Sequence, residues 1–256
     1  MPELPEAETI VRTLRPLAEG RAIVAVEFLA PRVSRDDPSA LAGRRILAVS
    51  RYGKQILLEL DRGCLLVKLG MTGKLLAGGA LTPYTRAVLT LDRGVLLFDD
   101  VRQFGSLTLL PAPPAALGPD PLEITASEFA ARLRGRDTQV KRALLDQKFL
   151  RGVGNIYCDE ALFRAGIHPK ARTRRLSRAR AEALHDALAA LLRLAIEYRG
   201  SSVSDYVDAA GERGGFQQLH QVYGKEGESC VRCGAPVRRI VFAQRGTHYC
   251  PKCQKF

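Results

Sequence analysis

The first residues of the chain could carry out covalent chemistry. Pro2 becomes the amino terminus once an aminopeptidase removes Met1, and its secondary amine could then attack an electrophilic carbon and become an iminium, as catalytic lysines do. The pKa of an α-amino group is about 8, against about 10.4 for a lysine side chain, so a much larger fraction of the amino terminus is neutral at cellular pH. Glu3 follows directly as a candidate general acid and base. The alternative is structural, because acids in a first helical turn favour the helix dipole and Pro5 suits a helix start.

Four of the six cysteines have the spacing of a metal site. They form two CxxC pairs separated by 16 residues, Cys230 with Cys233 and Cys250 with Cys253. Each pair suits two ligands of one tetrahedral Zn²⁺, and the spacer is long enough for a hairpin that brings the pairs together. Four thiolates leave no open coordination position, so we expect one structural Zn²⁺. The arginines between the pairs indicate either a solvated charged face or a finger that contacts DNA.

The charge balance favours a polyanionic partner. Lys and Arg number 39 against 27 Asp and Glu in 256 residues, a formal net charge of +12, and basic proteins gain affinity for nucleic acid by counterion release. An anionic membrane is the competing partner, but no apolar run approaches the roughly 20 residues needed to span one. The sequence shows no basic, apolar leader with a small-residue cleavage site, so we expect a cytoplasmic protein.

The elements that must position these residues change character along the chain. A helix is predicted over residues 6–17, because apolar side chains recur every three or four positions before Gly20. Short β-rich runs follow at the spacing of a β-sandwich or barrel, at 22–29, 45–52, 55–60, 64–69, 87–91, 95–98 and 106–110. A proline-rich linker then precedes helices predicted at 127–133, 139–147, 156–165 and 178–198. The Gly/Ser-rich residues 200–215 are predicted to be a connector or a mobile lid.

Several motifs, in the same order, resemble the formamidopyrimidine-DNA glycosylase family of bacterial repair enzymes. The likeness extends from PELPEAE through LGMTG, RQFG, GPDPL and GVGNIY to QVYG and the AQR of the cysteine hairpin. It implies an α+β, two-lobed fold with an N-terminal β-sandwich and helix (1–118), a helix-two-turn-helix domain with a lid loop (119–225) and a four-cysteine zinc finger (226–256). It also implies binding to double-stranded DNA containing oxidised purines or abasic sites. We expect a monomer without a membrane partner, because each damaged site needs only one DNA-binding cleft.

The resemblance implies glycosylase and lyase activity at one site. Pro2 would attack C1′ of the sugar, displace the oxidised base and form an iminium, with Glu3 as proton shuttle and Glu6 as the acid that orders the site. Lys54 belongs to the same catalytic set, and β and δ eliminations would then cut the strand. The residues expected to contact DNA are Lys54, Lys68, Met71, Arg102, Phe104, Lys141, Asn155, Tyr223 and Arg245. Among these, Met71, Arg102 and Phe104 would fill the gap left by the extruded nucleotide, whereas the alternative for the two apolar residues is the core.

Three positions depart from the family pattern, and two other functions compete. Lys68 stands where many members carry histidine, Gln103 replaces a frequent second arginine, and Ser204 replaces a lid lysine, which puts lesion discrimination in doubt. The related endonuclease VIII removes oxidised pyrimidines by the same proline chemistry, but it lacks the gap-filling set. A non-catalytic binder of damaged DNA is the rival from another class, and retention of Met1 would favour it, because Pro2 would then be an amide.

Overall fold

The computed structural model describes residues 2–256, which form two compact units. The first comprises the residues up to Ala115 together with Ile196–Gln217, and the second comprises Ala116–Ala195 together with Gln218–Phe256. The Gly/Ser-rich residues, which the sequence prediction kept in the helical domain, therefore group with the first unit. In that unit the Ala77 N–H donates to Ala209 O (2.8 Å), and Tyr206 is buried in the core. Part of the segment predicted as a lid is thus packed against the rest of the unit.

Helix α1, Leu4–Ala18, begins two residues earlier than predicted because its amino terminus is capped. The backbone N–H of Glu3 donates to Glu6 Oε2 at 2.7 Å, a bond typical of a capping box. Pro5 lies in the first turn, where its missing N–H has no intrahelical acceptor to lose. The apolar face of α1 joins the core of the first unit through Ile10, Val11, Leu14 and Ala18.

Two antiparallel four-stranded sheets form the sandwich, in the orders β1-β6-β7-β5 and β2-β3-β4-β8. The strands are β1 Ile23–Phe28, β2 Ile46–Tyr52, β3 Gln55–Leu60, β4 Cys64–Lys68, β5 Lys74–Ala77, β6 Thr85–Leu91, β7 Val95–Asp99 and β8 Ser106–Leu110. One core cluster contains side chains from both sheets and from α1, for example Val49, Leu89 and Leu14. The predicted β-sandwich is therefore confirmed, although β5 was not predicted.

The helices that follow are α2 Ala126–Arg134, α3 Val140–Leu145, α4 Asn155–Arg164 and α5 Arg178–Glu197. A capping box starts α2, since the Glu128 N–H donates to Thr125 Oγ1 (3.2 Å) and the Thr125 N–H donates to Glu128 Oε2 (3.0 Å). Helix α3 ends two residues earlier than predicted because Asp146 adopts an extended backbone. Among residues 2–256, each helix is too short or too polar to cross a membrane.

Strands β9 (Arg238–Phe242) and β10 (Arg245–Tyr249) form an antiparallel hairpin. Arg245 pairs with Phe242, so the turn consists of Ala243 and Gln244, with φ of 51° and 57°. Positive φ at both central residues is typical of the type I′ turn, which matches the twist of a two-residue hairpin. Side chains with a Cβ are strained in this region, so the hairpin is strained immediately before Arg245.

Candidate functional site

The amino-terminal residues are buried within the first unit. Pro2 and Glu3 lie directly before α1 and have little exposed surface. The Glu6 carboxylate binds two backbone segments, since Oε2 accepts the Glu3 N–H and Oε1 accepts the Ser201 N–H, each at 2.7 Å. Glu6 is therefore more than a dipole-stabilising acid, because it joins the residue beside Pro2 to the Gly/Ser-rich segment. Removal of Met1, on which the free amine depends, concerns a residue outside the described range.

Gly200 makes this close approach to Glu6 possible. Its φ is +77°, and a Cβ on it would lie 2.8 Å from Glu6 Oε1. Tyr206 adds a further link, because its hydroxyl donates to Arg199 O at 3.1 Å and to Glu6 O at 3.4 Å. Burial, followed by the Glu6 charge, raises the pKa of Tyr206, so the hydroxyl stays a donor at neutral pH. The carboxylate next to the candidate nucleophile is thus held by groups far along the chain.

Met71, Arg102 and Phe104 lie together on two neighbouring loops. The Arg102 guanidinium stacks over the Phe104 ring, 4.7 Å from its centroid, and Arg102 Nη1 lies 3.9 Å from Met71 Sδ. Met71 is 39% exposed and Phe104 is 54% exposed, so neither is a core residue. An exposed thioether and ring joined to a guanidinium form a wedge that can enter a base stack.

Two lysines of the first unit lie at the ends of strands. Lys54 follows Gly53 in the two-residue turn between β2 and β3, since Tyr52 pairs with Gln55, and it is half-buried. Lys68 is the exposed last residue of β4. Flexible lysine side chains at such positions are suited to phosphate contacts.

In the second unit, Asn155 is hydrogen-bonded to the cysteine hairpin. Asn155 Nδ2 donates to Gly246 O at 2.8 Å, so the first residue of α4 lies beside β10. The same amide nitrogen has a second hydrogen, which can be donated to a phosphate oxygen. The amino terminus of a helix, where Asn155 lies, also favours anions. Arg245 is exposed at the start of β10. Asn155 and Arg245 are therefore held in a common framework, as two phosphate-binding groups would require.

Lys141, one of the residues predicted to contact DNA, lies in the interior of the second unit. Its side chain is fully buried, with Nζ 2.5 Å from Asp159 Oδ1 and 2.8 Å from Thr247 Oγ1. Asp159 Oδ2 also accepts the backbone N–H of His248 at 2.8 Å. Breaking a buried ion pair costs about 3–5 kcal/mol. Lys141 therefore links α3, α4 and β10, and its ammonium is not available to a phosphate in this arrangement.

Tyr223 belongs to a segment held by a buried carboxylate of α4. Glu160 Oε1 accepts the backbone N–H groups of Gln221, Val222 and Tyr223 at 2.8–2.9 Å. Burial raises the pKa of Glu160, against the opposing effect of these three hydrogen bonds. The Tyr223 ring meets the His248 ring edge-on, with centroids 5.1 Å apart. Tyr223 is thus positioned beside the hairpin that carries Arg245.

The four predicted metal ligands form one cluster. The Sγ atoms of Cys230, Cys233, Cys250 and Cys253 all lie within 4.8 Å of one another, and those of Cys230 and Cys253 are 3.8 Å apart. A tetrahedral ion with Zn–S bonds of about 2.3 Å requires edges of about 3.8 Å, so the cluster fits Zn²⁺. The Arg232 N–H donates to Cys230 Sγ at 3.5 Å, which stabilises a thiolate. With four sulfur ligands the ion is structural.

Three family models match successive parts of the chain. Residues 1–107 match the formamidopyrimidine-DNA glycosylase N-terminal domain, residues 117–207 match the H2TH domain of the same enzyme, and residues 227–255 match the zinc finger found in FPG and IleRS. A formamidopyrimidine-DNA glycosylase from Solibacter usitatus is 54% identical over 264 residues that cover both chains completely. The chain belongs to the formamidopyrimidine-DNA glycosylase family. The predicted family and the single structural zinc are therefore confirmed.

Solved structures match this glycosylase over nearly its whole length. The MutM (Fpg) protein of Thermus thermophilus is 43% identical with a TM-score of 0.91, over 99% of this chain and 98% of that one. A complex of Lactococcus lactis Fpg with abasic-site DNA is 34% identical with a TM-score of 0.91, over 99% of this chain and 100% of that one. A complex of a mutant of the same protein with Fapy-dG containing DNA has the same identity and TM-score. The predicted α+β fold is confirmed.

Four buried polar side chains that hold segments of the candidate site were not predicted from the sequence. Asp100, Asp159, Glu160 and Tyr206 are all buried and hydrogen-bonded to segments that carry candidate site residues. For Asp159 and Glu160 the sequence did contain a signal, because two acids interrupt an otherwise apolar run in α4. For Asp100 and Tyr206 no local pattern indicates burial with distant partners.

The three departures of the glycosylase from its family pattern lie at the surface. Lys68, Gln103 and Ser204 are all exposed. Gln103 also has φ of 52°, a left-handed conformation that is strained for a residue with a Cβ. None of the three changes the packing of the core.

Proposed function

We propose that this glycosylase removes oxidised purines, such as 8-oxoguanine and formamidopyrimidines, from duplex DNA and then cuts the strand at the abasic site. The proposal rests mainly on the Glu6 carboxylate, which holds the backbone of Glu3 and of Ser201 at 2.7 Å each and so orders the surroundings of Pro2. The Lactococcus lactis relatives in complex with Fapy-dG and abasic-site DNA support the same substrates.

Pro2 is the nucleophile in this proposal. Its neutral amine attacks C1′ while the bond from C1′ to the base breaks, and the base leaves with the electron pair and gains a proton. Glu3 protonates the sugar ring oxygen as the ring opens, which leaves an iminium between Pro2 and C1′. The iminium acidifies the C2′ hydrogen, so its removal expels the 3′ phosphate; a second proton loss expels the 5′ phosphate. Water then hydrolyses the iminium, which frees Pro2 and releases the sugar fragment. Lys54 belongs to the same proposed catalytic set.

The wedge of Met71, Arg102 and Phe104 replaces the nucleotide that must leave the helix. A base inside a duplex hides its glycosidic carbon, so the nucleotide has to be extruded. The exposed Met71 and Phe104 side chains can enter the gap, and the Arg102 guanidinium can hydrogen-bond to the partner base. This gap-filling set favours oxidised purines over the oxidised pyrimidines of endonuclease VIII.

Phosphate contacts in both units anchor the duplex. The groups proposed for them are Lys54, Lys68, Asn155, Tyr223 and Arg245. A net charge of +12 supports binding through counterion release. We expect the protein to act as a monomer, because one damaged nucleotide requires one set of these groups. We also expect it to act on chromosomal DNA in the cytoplasm.

Borohydride trapping tests the proposal. The substrate is a duplex with one 8-oxoguanine opposite cytosine, and intact-mass spectrometry first establishes that Met1 has been removed. Wild type should give a covalent protein–DNA band that Pro2→Gly weakens by at least about tenfold, or about 1.4 kcal/mol in activation free energy. Pro31→Gly is the matched control, because Pro31 is exposed and lies after β1 and not beside α1 in the sequence, and it should trap like wild type.

Other outcomes identify the competing functions. Trapping on a thymine glycol duplex but not on the 8-oxoguanine duplex would indicate an enzyme of the endonuclease VIII kind. Tight binding of the 8-oxoguanine duplex without trapping, by protein that lacks Met1, would indicate a non-catalytic binder of damaged DNA.

A further inference from the structure

One buried carboxylate joins the two loops that carry the wedge. Asp100 is 1% exposed, and its Oδ1 accepts the Thr72 hydroxyl at 2.5 Å and the Arg102 N–H at 3.2 Å. Its Oδ2 accepts the Gly105 N–H at 2.7 Å. The carboxylate therefore binds the residue after Met71 and residues on both sides of Phe104.

The backbones of the two loops are packed closely against each other. A Cβ at Gly70 would lie 2.8 Å from the backbone of Phe104 and of Gly105, and a Cβ at Gly105 would lie 2.7 Å from Lys68 O. Thr72 Oγ1 also accepts the Arg102 N–H at 3.1 Å. Side chains on the two loops thus share one rigid base.

The same carboxylate also binds backbone N–H groups on both sides of Gln103, whose own backbone is strained. Gln103 has φ of 52°, a left-handed conformation that is strained for a residue with a Cβ. The N–H groups that donate to Asp100 belong to Arg102 and Gly105, on either side of it. Two charge-assisted hydrogen bonds can hold such a turn, and with it the stacking of Arg102 on Phe104.

We propose that Asp100 is a positioning residue for base extrusion, which it supports by fixing Met71, Arg102 and Phe104 as a preformed wedge. This inference rests on the proposed glycosylase function. A wedge held before DNA arrives needs no further ordering when the nucleotide leaves, so its entry into the gap is faster. Asp100 does not touch the reacting atoms, and its loss should leave the chemistry of Pro2 intact.

The chain offers a matched control in Asp99. Asp99 is also buried and also accepts two hydroxyl groups, from Thr85 at 2.7 Å and from Thr82 at 3.0 Å, but these belong to the start of β6 and to the turn before it. Asp99→Asn therefore removes a similar carboxylate from the same strand end without touching the wedge loops. A structural loss alone should affect Asp99→Asn and Asp100→Asn alike.

The experiment compares the rate of nucleotide extrusion with the formation of the covalent iminium at Pro2. A duplex with 8-oxoguanine next to 2-aminopurine reports insertion by fluorescence, and a single-stranded abasic oligonucleotide reports borohydride trapping without any base to extrude. Asp100→Asn should slow excision and the fluorescence rise by about tenfold, the effect of losing one or two hydrogen bonds to a charge. It should trap the abasic strand within about twofold of wild type, and Asp99→Asn should match wild type within about twofold in every assay.

Equal slowing by Asp99→Asn and Asp100→Asn, or slow excision with an unchanged fluorescence rise, would overturn the proposal. If Asp100→Asn does not fold, Thr72→Val removes one bond to the carboxylate and should slow the fluorescence rise by about threefold. Its control is Thr108→Val on the exposed face of β8. Absence of trapping by wild type on the abasic strand would instead refute the proposed function.

Discussion

Replacing Lys141 by methionine distinguishes a structural role from a DNA contact. Methionine keeps the aliphatic length but removes the ammonium, so Asp159 would lose its cationic partner while remaining fully buried. The hydrogen bond from the His248 backbone at 2.8 Å would stay, but the cation at 2.5 Å would be lost. Removing one partner of a buried pair costs about 3–5 kcal/mol, a large fraction of the roughly 5–15 kcal/mol that stabilises a typical domain.

Urea unfolding and salt-dependent DNA binding provide the measurement. The zinc-loaded wild type, Lys141→Met and the control Lys148→Met should be compared, since Lys148 is exposed in the same region of the chain. Each phosphate contact contributes about 0.9 to the slope of log K against log salt concentration. We expect Lys141→Met to unfold at lower urea with its salt slope unchanged.

The opposite pattern would refute the reasoning. If Lys141→Met lost less than about 1 kcal/mol of stability and its salt slope fell by about 0.9, the ammonium would be a phosphate contact after all. The burial of Lys141 would then describe only the DNA-free arrangement.

Further perturbations test other parts of the structure. Gly200→Ala should lower borohydride trapping and cost about 2 kcal/mol, from its positive φ and the clash with Glu6; Gly211→Ala shares the positive φ but has open space and should trap normally. His220 has a pKa lowered to about 4 by burial and then by Lys225. Because the unfolded state binds this proton more tightly, stability should fall as the pH falls, by about 2 kcal/mol between pH 7.5 and 5, and His220→Gln should remove this loss in urea titrations. Chelation should release one Zn²⁺ per chain, measured with a metallochromic dye, and weaken duplex binding. Gln244→Gly should raise the Tm by relieving about 1 kcal/mol of strain in the hairpin turn.

Local sequence patterns predicted elements wherever one face of the element is buried. Strand β6 alternates buried and half-buried residues over its whole length, and α1 places apolar residues at helical spacing. Strand β5 escaped prediction because its four residues lie between Gly73 and Gly78 and show no alternation. The cysteine spacing predicted the metal cluster because a tetrahedral ion fixes the distances between its ligands.

The buried ionic groups could not be predicted, since their partners are far away in the sequence. Lys141 meets Asp159 18 residues later and Thr247 106 residues later. Glu160 binds backbone groups 61 to 63 residues away. Such pairings depend on how helices and hairpin pack, which periodicity does not encode. The burial of Lys141 could not be predicted from the sequence for this reason.

The bond between Glu6 and Ser201 also constrains the order of events during synthesis. The acceptor and the donor are 195 residues apart, and the first unit is completed only by residues 196–217. The hydrogen bond between Ser201 and Glu6 can therefore form only after most of the polypeptide has been made. The surroundings of Pro2 are thus completed late in synthesis, and under the proposed function an unfinished chain would lack the environment that makes the Pro2 amine a selective nucleophile.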